Sequence, residues 1–231
     1  MKRTCVALIL GAVVFAFSSP AAAAAPPFAD LSDLPMSVRV FSGLSLAKFR
    51  YSEIDPGPQV VFSPRTGIIG GFGLEMGGLV SFEINIVYHQ KGNRSDFDYY
   101  GGGRGNESIL CHEMSVPLLV KLNIGRTIHP YLLAGGEAGY LLSAITSSES
   151  WNGNNHVSER IDSTEDFHRV HFGLIAGGGI KIPAGMFDVF LEARYHYGLS
   201  KRFKTVEGDP TQARADSLVV LIGISTEGVR L

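Results

Sequence analysis

At 231 residues the chain fits one domain with short extensions. Its charged fraction, 18%, lies below the usual quarter, and its 28 glycines lie well above average usage. A mean hydropathy of +0.15 excludes a typical disordered chain, and a net charge of −2 offers no basic field, so no nucleic-acid partner is expected.

The first residues read as an export signal. Lys2 and Arg3 precede an uncharged, mostly apolar run from Cys5 to Phe17, and Ala21 to Ala25 supplies A-x-A cleavage frames after Ala23 or Ala25. That run is too short for an ordinary membrane-spanning helix, which needs about 20 residues. The expected organisation is a cleaved signal peptide at 1–25, a Pro-rich periplasmic lead at 26–36, and one domain at 37–231. Removing Lys2 and Arg3 takes the net charge from −2 to −4. It also leaves Cys111 as the remaining cysteine, so no intrachain disulfide is expected. No later run reaches 18 consecutive apolar residues, so a membrane could be entered only by a closed barrel.

Beyond the lead, segments of about ten residues alternate with turn signals. A first segment, Val38 to Phe49, leaves its two faces ambiguous, and a second, Gly67 to Met76, is apolar but irregular. The third is the clearest. Val80, Phe82, Ile84, Ile86 and Tyr88 share one face, and Ser81, Glu83, Asn85 and His89 share the other. In the fourth, Met114, Val116, Leu118, Val120 and Leu122 oppose Cys111, Glu113, Ser115 and Lys121. The fifth, Pro130 to Ala144, sets Glu137 among apolar and glycine positions. The sixth sets Val170, Phe172 and Leu174 against Arg169, His171 and Lys181, and the seventh sets Val189, Leu191, Tyr195 and Tyr197 against Asp188, Glu192, Arg194 and His196. The eighth, Ser217 to Thr226, is apolar.

The connections alternate in length. Long polar ones fall at 50–65, 92–107, 145–166 and 201–214, and short ones at Gly77-Gly78, Asn123 to Thr127 and Ala184-Gly185. Four long and three short connections between eight strands match an outer-membrane barrel with long external loops and tight periplasmic turns. The fold class expected is therefore all-β, an eight-stranded antiparallel up-and-down transmembrane β-barrel in the bacterial outer membrane. If Ala184-Gly185 is a two-residue loop, Pro183 pairs with Met186 and Lys181 sits opposite Asp188. Gly179 then faces Phe190, Gly177 faces Glu192, and Gly173 faces His196.

Cost decides the faces. Arg or Lys at a bilayer midplane is destabilising by about 2–4 kcal/mol, so the minority polar face points inward. Glu83, Glu113, Lys121, Glu137, Arg169, Lys181, Asp188, Glu192 and Arg194 are expected to form a polar network in the lumen. Tyr88, Tyr140, Phe172, Tyr195 and Tyr197 then make an outward aromatic girdle. A soluble barrel of the lipocalin kind inverts these faces and puts the aromatics inside.

Three strings, "SVPLLVKLNIG" (115–125), "PYLLAGGEAGYLLSA" (130–144) and "FLEARYHYGLS" (190–200), resemble the PorT-like outer-membrane β-barrel family. The resemblance implies a small porin-like barrel of eight strands.

Chemistry is sparse. An eight-stranded lumen is only just filled by side chains, so a packed ion-pair network is expected in preference to an open channel. His89, His171 and His196, with Glu113 and Cys111, face inward at one level but lack short metal-ligand spacing, so no metal or cofactor is expected. His112 and Ser108 at the outer edge raise a lipid-modifying enzyme, without a G-x-S-x-G elbow to support it. The glycines from 101 to 105 lack the strand-to-helix context of a phosphate loop. Trp151, the single tryptophan, is a candidate loop contact. The function expected is structural, adhesive or assembly-partner work through external loops, without enzymatic activity. A narrow transport channel and a lipid-modifying enzyme are the alternatives. Expected partners are outer-membrane lipid or lipopolysaccharide, and a protein or glycan at the loops.

Overall fold

The structure, a computed structural model, describes residues 35–51, 60–98, 104–125, 128–152, 155–204 and 213–226. The signal peptide, its cleavage site and most of the lead lie outside the described residues.

Nine strands follow in order: β1 Met36–Tyr51, β2 Val60–Gly77, β3 Val80–Asp98, β4 Arg104–Asn123, β5 His129–Asn152, β6 Asn155–Asp162, β7 Val170–Ala184, β8 Phe187–Gly198 and β9 Ala213–Thr226. Eight of them close a ring. Each pairs antiparallel with the next ring strand along the chain, β5 with β7 across β6, and β1 meets β9 from Arg39↔Ser225 to Tyr51↔Ala213. The ninth, β6, stands outside it. β5 pairs with β7 through its lower half (His129↔Lys181 to Tyr140↔Val170) and with β6 through its upper half (Ile145↔Asp162 to Asn152↔Asn155). Closure matters because hydrocarbon offers no partner to an open strand edge.

Ring strands run from 12 to 24 residues, whereas about 9–11 tilted residues cross a bilayer. The surplus projects at the long-loop end. Two expected loops are therefore corrected: 92–107 is mostly paired strand (Gly92↔Leu110 to Asp98↔Arg104), and 145–166 is mostly the β5–β6 hairpin. Their alternation is polar on both faces, which reads as loop in sequence although the ladder continues.

The ambiguity of β1 is resolved by its neighbours. Ser37, Arg39, Phe41, Ser45, Ala47 and Phe49 point inward and are buried, while Val38, Val40, Leu44 and Leu46 point outward. Across the whole ring the outward face is apolar and exposed; Phe82 and Leu132, for example, each keep 61% of their surface. Water would not tolerate so continuous an apolar surface.

The β7–β8 loop lies one residue later than expected, which shifts the register of the two strands by two. The loop is Gly185-Met186, so Ala184 pairs with Phe187, Lys181 with Phe190, Gly179 with Glu192, and Gly177 with Arg194. Gly185 takes φ +77°, a left-handed value that suits glycine at the first position of a two-residue hairpin loop. A slip of two changes every partner and leaves every face unchanged.

Candidate functional site

Inward positions of the eight ring strands converge on a lumen filled by two strata of charge. In the lower stratum Lys121 Nζ lies 2.9 Å from Glu75 Oε2 and 3.1 Å from Glu83 Oε2. Arg194 Nη2 donates to Glu83 Oε1 at 2.9 Å, and Arg39 Nη2 to Glu192 Oε2 at 3.2 Å. Arg39 also closes on Glu83, and Arg194 on Glu192. Tyr131 donates its hydroxyl to Glu192 Oε2 at 2.6 Å. Aromatic rings complete the cage, with Arg39 4.0 Å from the centroid of Phe190 and Lys121 4.1 Å from that of Tyr131. Glycine makes the room: a Cβ on Gly179 would lie 2.6 Å from the Tyr131 hydroxyl oxygen.

The upper stratum is built on Glu113 and Glu137. Lys91 Nζ bridges them at 3.4 and 3.1 Å. Arg202 Nη2 reaches Glu113 Oε2 at 3.2 Å, and His171 Nε2 lies 3.1 Å from the same oxygen. His196 Nδ1 contacts Glu137 Oε2 at 3.1 Å, and His89 Nε2 contacts Ser45 Oγ at 2.7 Å. Taking a charge out of water costs several kcal/mol, and only good pairing geometry offsets it. Here the two carboxylates face Lys91 and Arg202.

Above this stratum the mouth is plugged by Phe49, Cys111, Leu141, Ala144, Phe167, Ala213 and Ala215. Phe167, after β6, and Phe203, after β8, form an isolated bridge with ring centroids 4.6 Å apart. The two segments are stitched by His168 N–H to Arg202 O and Lys204 N–H to Asp166 O, both at 2.8 Å. The plug is thus built on ring-strand residues and completed by chain returning over the barrel. At the periplasmic end a pocket of about 430 Å³ is lined by Ser37, Glu75, His129, Lys181 and Asp188 among others.

Six of the residues expected in the lumen meet there: Glu83, Glu113, Lys121, Glu137, Glu192 and Arg194. Lys181 reaches Glu75 at 3.4 Å instead of Asp188, because of the two-residue register difference. Asp188 lines the periplasmic pocket. Arg169 is a correction. It lies before β7, is exposed, and donates to the carbonyls of Leu141 and Leu142. Sequence reasoning missed Arg39, Glu75, Lys91 and Arg202, all inward in the structure.

The other candidates separate. His112 Nδ1 contacts the Tyr88 hydroxyl at 2.6 Å, while Ser108 receives a hydrogen bond from Arg65. Among the described residues no group of three or more His, Cys, Asp or Glu is arranged to hold a metal ion. Trp151 stacks on His156 at 5.0 Å between centroids, at the tip of the β5–β6 hairpin. At the foot of that hairpin the Asp162 carboxyl is held below its ordinary pKa by the hydroxyl and backbone N–H of Thr164.

The sequence matches the family model described as outer membrane protein beta-barrel domain over residues 28–204. The chain belongs to that family and resides in the bacterial outer membrane. No curated protein matches it. Similar solved structures include Neisserial surface protein A, at 12% identity over 82% of this chain and 96% of that one, with a TM-score of 0.43. OprG from Pseudomonas aeruginosa is similar at 11% identity, over 85% and 98%, with a TM-score of 0.45. Ail, the attachment invasion locus protein of Yersinia pestis, is similar at 13% identity, over 83% and 99%, with a TM-score of 0.35.

Proposed function

We propose that the protein is a non-catalytic outer-membrane scaffold that presents its external hairpins to a protein or surface glycan, in an adhesive, structural or assembly role. Within the family we assign it to the PorT-like branch, on the strings at 115–125, 130–144 and 190–200. The observation that carries the functional reading is the unequal height of the ring. Strands β3, β4 and β5 continue as a paired sheet past the plugged mouth, and β6 extends that sheet outside the ring. A ladder longer than the membrane requires provides a rigid external surface, and Trp151 and Val157 are exposed on it. A lumen occupied by paired charges favours this reading over solute passage.

The test replaces 145–166 by a short turn that reconnects β5 to β7. The barrel is expected to keep its heat-modifiable gel migration while cells lose attachment to their partner surface. Unchanged attachment would overturn the reading.

A transport reading has one observation in its favour. The periplasmic pocket lies beneath buried polar atoms without hydrogen-bond partners, including Asn85 Oδ1, His196 Nε2 and Ser217 Oγ. Planar-bilayer recording separates the two: steady single-channel conductance from the folded protein supports a conduit, and silence supports the scaffold.

A further inference from the structure

The outward face at the β1–β9 seam carries a charge arrangement that strand pairing alone leaves unfavourable. In the register between these strands Arg50 sits opposite Arg214, and Lys48 sits opposite Asp216. Like charges placed directly opposite each other destabilise a sheet. The four groups sum to two excess positive charges. All four lie on the outward face, because their neighbours Phe49, Ala213, Ala215 and Ser217 are buried on the inward one. Asp216 is also buried, beneath Arg50 and the tyrosines of β8.

The patch is also built. Arg50 donates from Nε to Asp216 Oδ2 at 3.0 Å, from Nη1 to the Tyr197 hydroxyl at 2.8 Å, and from Nη2 to Gly198 O at 3.2 Å. Its guanidinium lies 4.3 Å from the Tyr197 centroid. Tyr195 adds a hydrogen bond to Asp216 at 3.3 Å. Arg50 is therefore held in place. Across from it Arg214 is not satisfied: its Nε is buried and has no acceptor among the described residues. With Asp216 engaged by Arg50, the two cations left without a counter-charge at the seam are the exposed Lys48 and the half-buried Arg214, and together they call for an anion with several acceptor oxygens.

Position selects the anion. Along β1 the outward residues Val38, Val40, Leu44 and Leu46 are apolar, and Lys48 and Arg50 are the first charges above them. Along β9 the sequence is mirrored, with Ile224, Ile222, Val220 and Leu218 giving way to Asp216 and Arg214. Tyr195 and Tyr197 mark the same level on β8, as aromatic residues do at a membrane interface. The patch thus lies where the hydrocarbon of the outer leaflet ends and its headgroups begin.

We propose that Lys48, Arg50 and Arg214, with Tyr195, Tyr197 and Asp216 as their frame, form a site for a phosphate of the glycolipid in the outer leaflet, the bisphosphorylated lipid A headgroup. The site deepens the lipid partnership and rests on the barrel's place in the outer membrane, so loss of the adhesive role would leave it standing.

The experiment is native mass spectrometry of the folded full-length barrel in detergent, titrated with purified bisphosphorylated lipid A. Lys48→Gln/Arg214→Gln is expected to lower retention roughly tenfold, the loss of one to two charge-assisted contacts. Arg169→Gln, at the outer edge of β7, is expected to leave it unchanged. Dephosphorylated lipid A is expected to bind the unaltered protein no better than the double variant binds the phosphorylated form. Equal retention by the double variant would overturn the site. Equal binding of dephosphorylated lipid A would overturn its phosphate specificity, and equal binding of phosphatidylglycerol its assignment to lipid A. Gel mobility with and without boiling reports folding; if the double variant does not fold, Lys48→Gln alone, at an exposed position, is expected to lower retention roughly threefold, and equal retention would overturn the site.

Discussion

Arg202 leaves the chain after β8, turns down through the mouth and closes on Glu113 of β4, both side chains 3% exposed or less. The contact ties an external segment to the barrel wall. Without it Glu113 keeps Lys91 at 3.4 Å and His171 at 3.1 Å, and the plug residue Phe203 loses the anchor beside it. Removing one partner of a buried pair costs about 3–5 kcal/mol when the other charge is left uncompensated. Because Lys91 and His171 still face Glu113, Arg202→Ala is expected to lower unfolding stability in detergent by less, about 1.5–3 kcal/mol. The double change Arg202→Leu/Glu113→Gln is expected to cost clearly less. Equal losses in both would mean that the contribution is packing and not charge.

Arg202 also shows where sequence reasoning ends. Alternation exposes a charge only when its strand alternates cleanly, as β3 does around Glu83 and β8 around Glu192. Arg39 escaped because β1 sets Phe41, Ala47 and Phe49 on the same face as Arg39, and Ser42 and Lys48 on the other, so neither face stands out as the polar one. Glu75 sits among Gly71, Gly73 and Gly77, which erase the period. Lys91 lies where β3 leaves the membrane and outward apolar residues stop marking the strand. Arg202 follows no period at all, since a loop residue enters the lumen by tertiary return. Arg169 erred in the opposite sense: its parity fits β7, but the strand begins one residue later.

Gly185 isolates the backbone's share in the β7–β8 turn. A Cβ there would meet nothing within 4 Å, so its cost is conformational. Gly185→Ala is expected to destabilise by about 1 kcal/mol through the left-handed φ, and Gly185→Asn by less. Urea titration of the folded barrel in lipid vesicles measures both. A neutral Gly185→Ala would show that the turn can relax without its positive φ.

Asp162 gives the external hairpin a pH response of definite sign. Thr164 N–H donates to its carboxylate at 2.9 Å, and the Thr164 hydroxyl adds a second bond. The folded pKa is lowered, so the stabilisation is present above the ordinary value, about 3.9, and is lost as pH falls through the folded one. Amide exchange at Thr164 is expected to stay protected down to about pH 4 and to rise only below it. In Asp162→Asn that acid-dependent step should vanish. A step persisting in the variant would assign the response to another group.

The outward row Val40, Phe72 and Ile86 crosses three adjacent strands, each residue paired with the next in register. Phe72 is 55% exposed and lies five residues above the turn that joins β2 to β3. At about 3.3 Å per residue along a strand tilted some 40°, that is near the bilayer midplane. Phe72→Arg is expected to cost about 2–4 kcal/mol in lipid vesicles, and Phe72→Leu little. The same Arg placed at Val157, 63% exposed on the external hairpin and paired with the uncharged Ser150, should be nearly neutral. The contrast depends on depth and not on side-chain size, so comparable losses at Phe72 and Val157 would contradict a hydrocarbon boundary at this row.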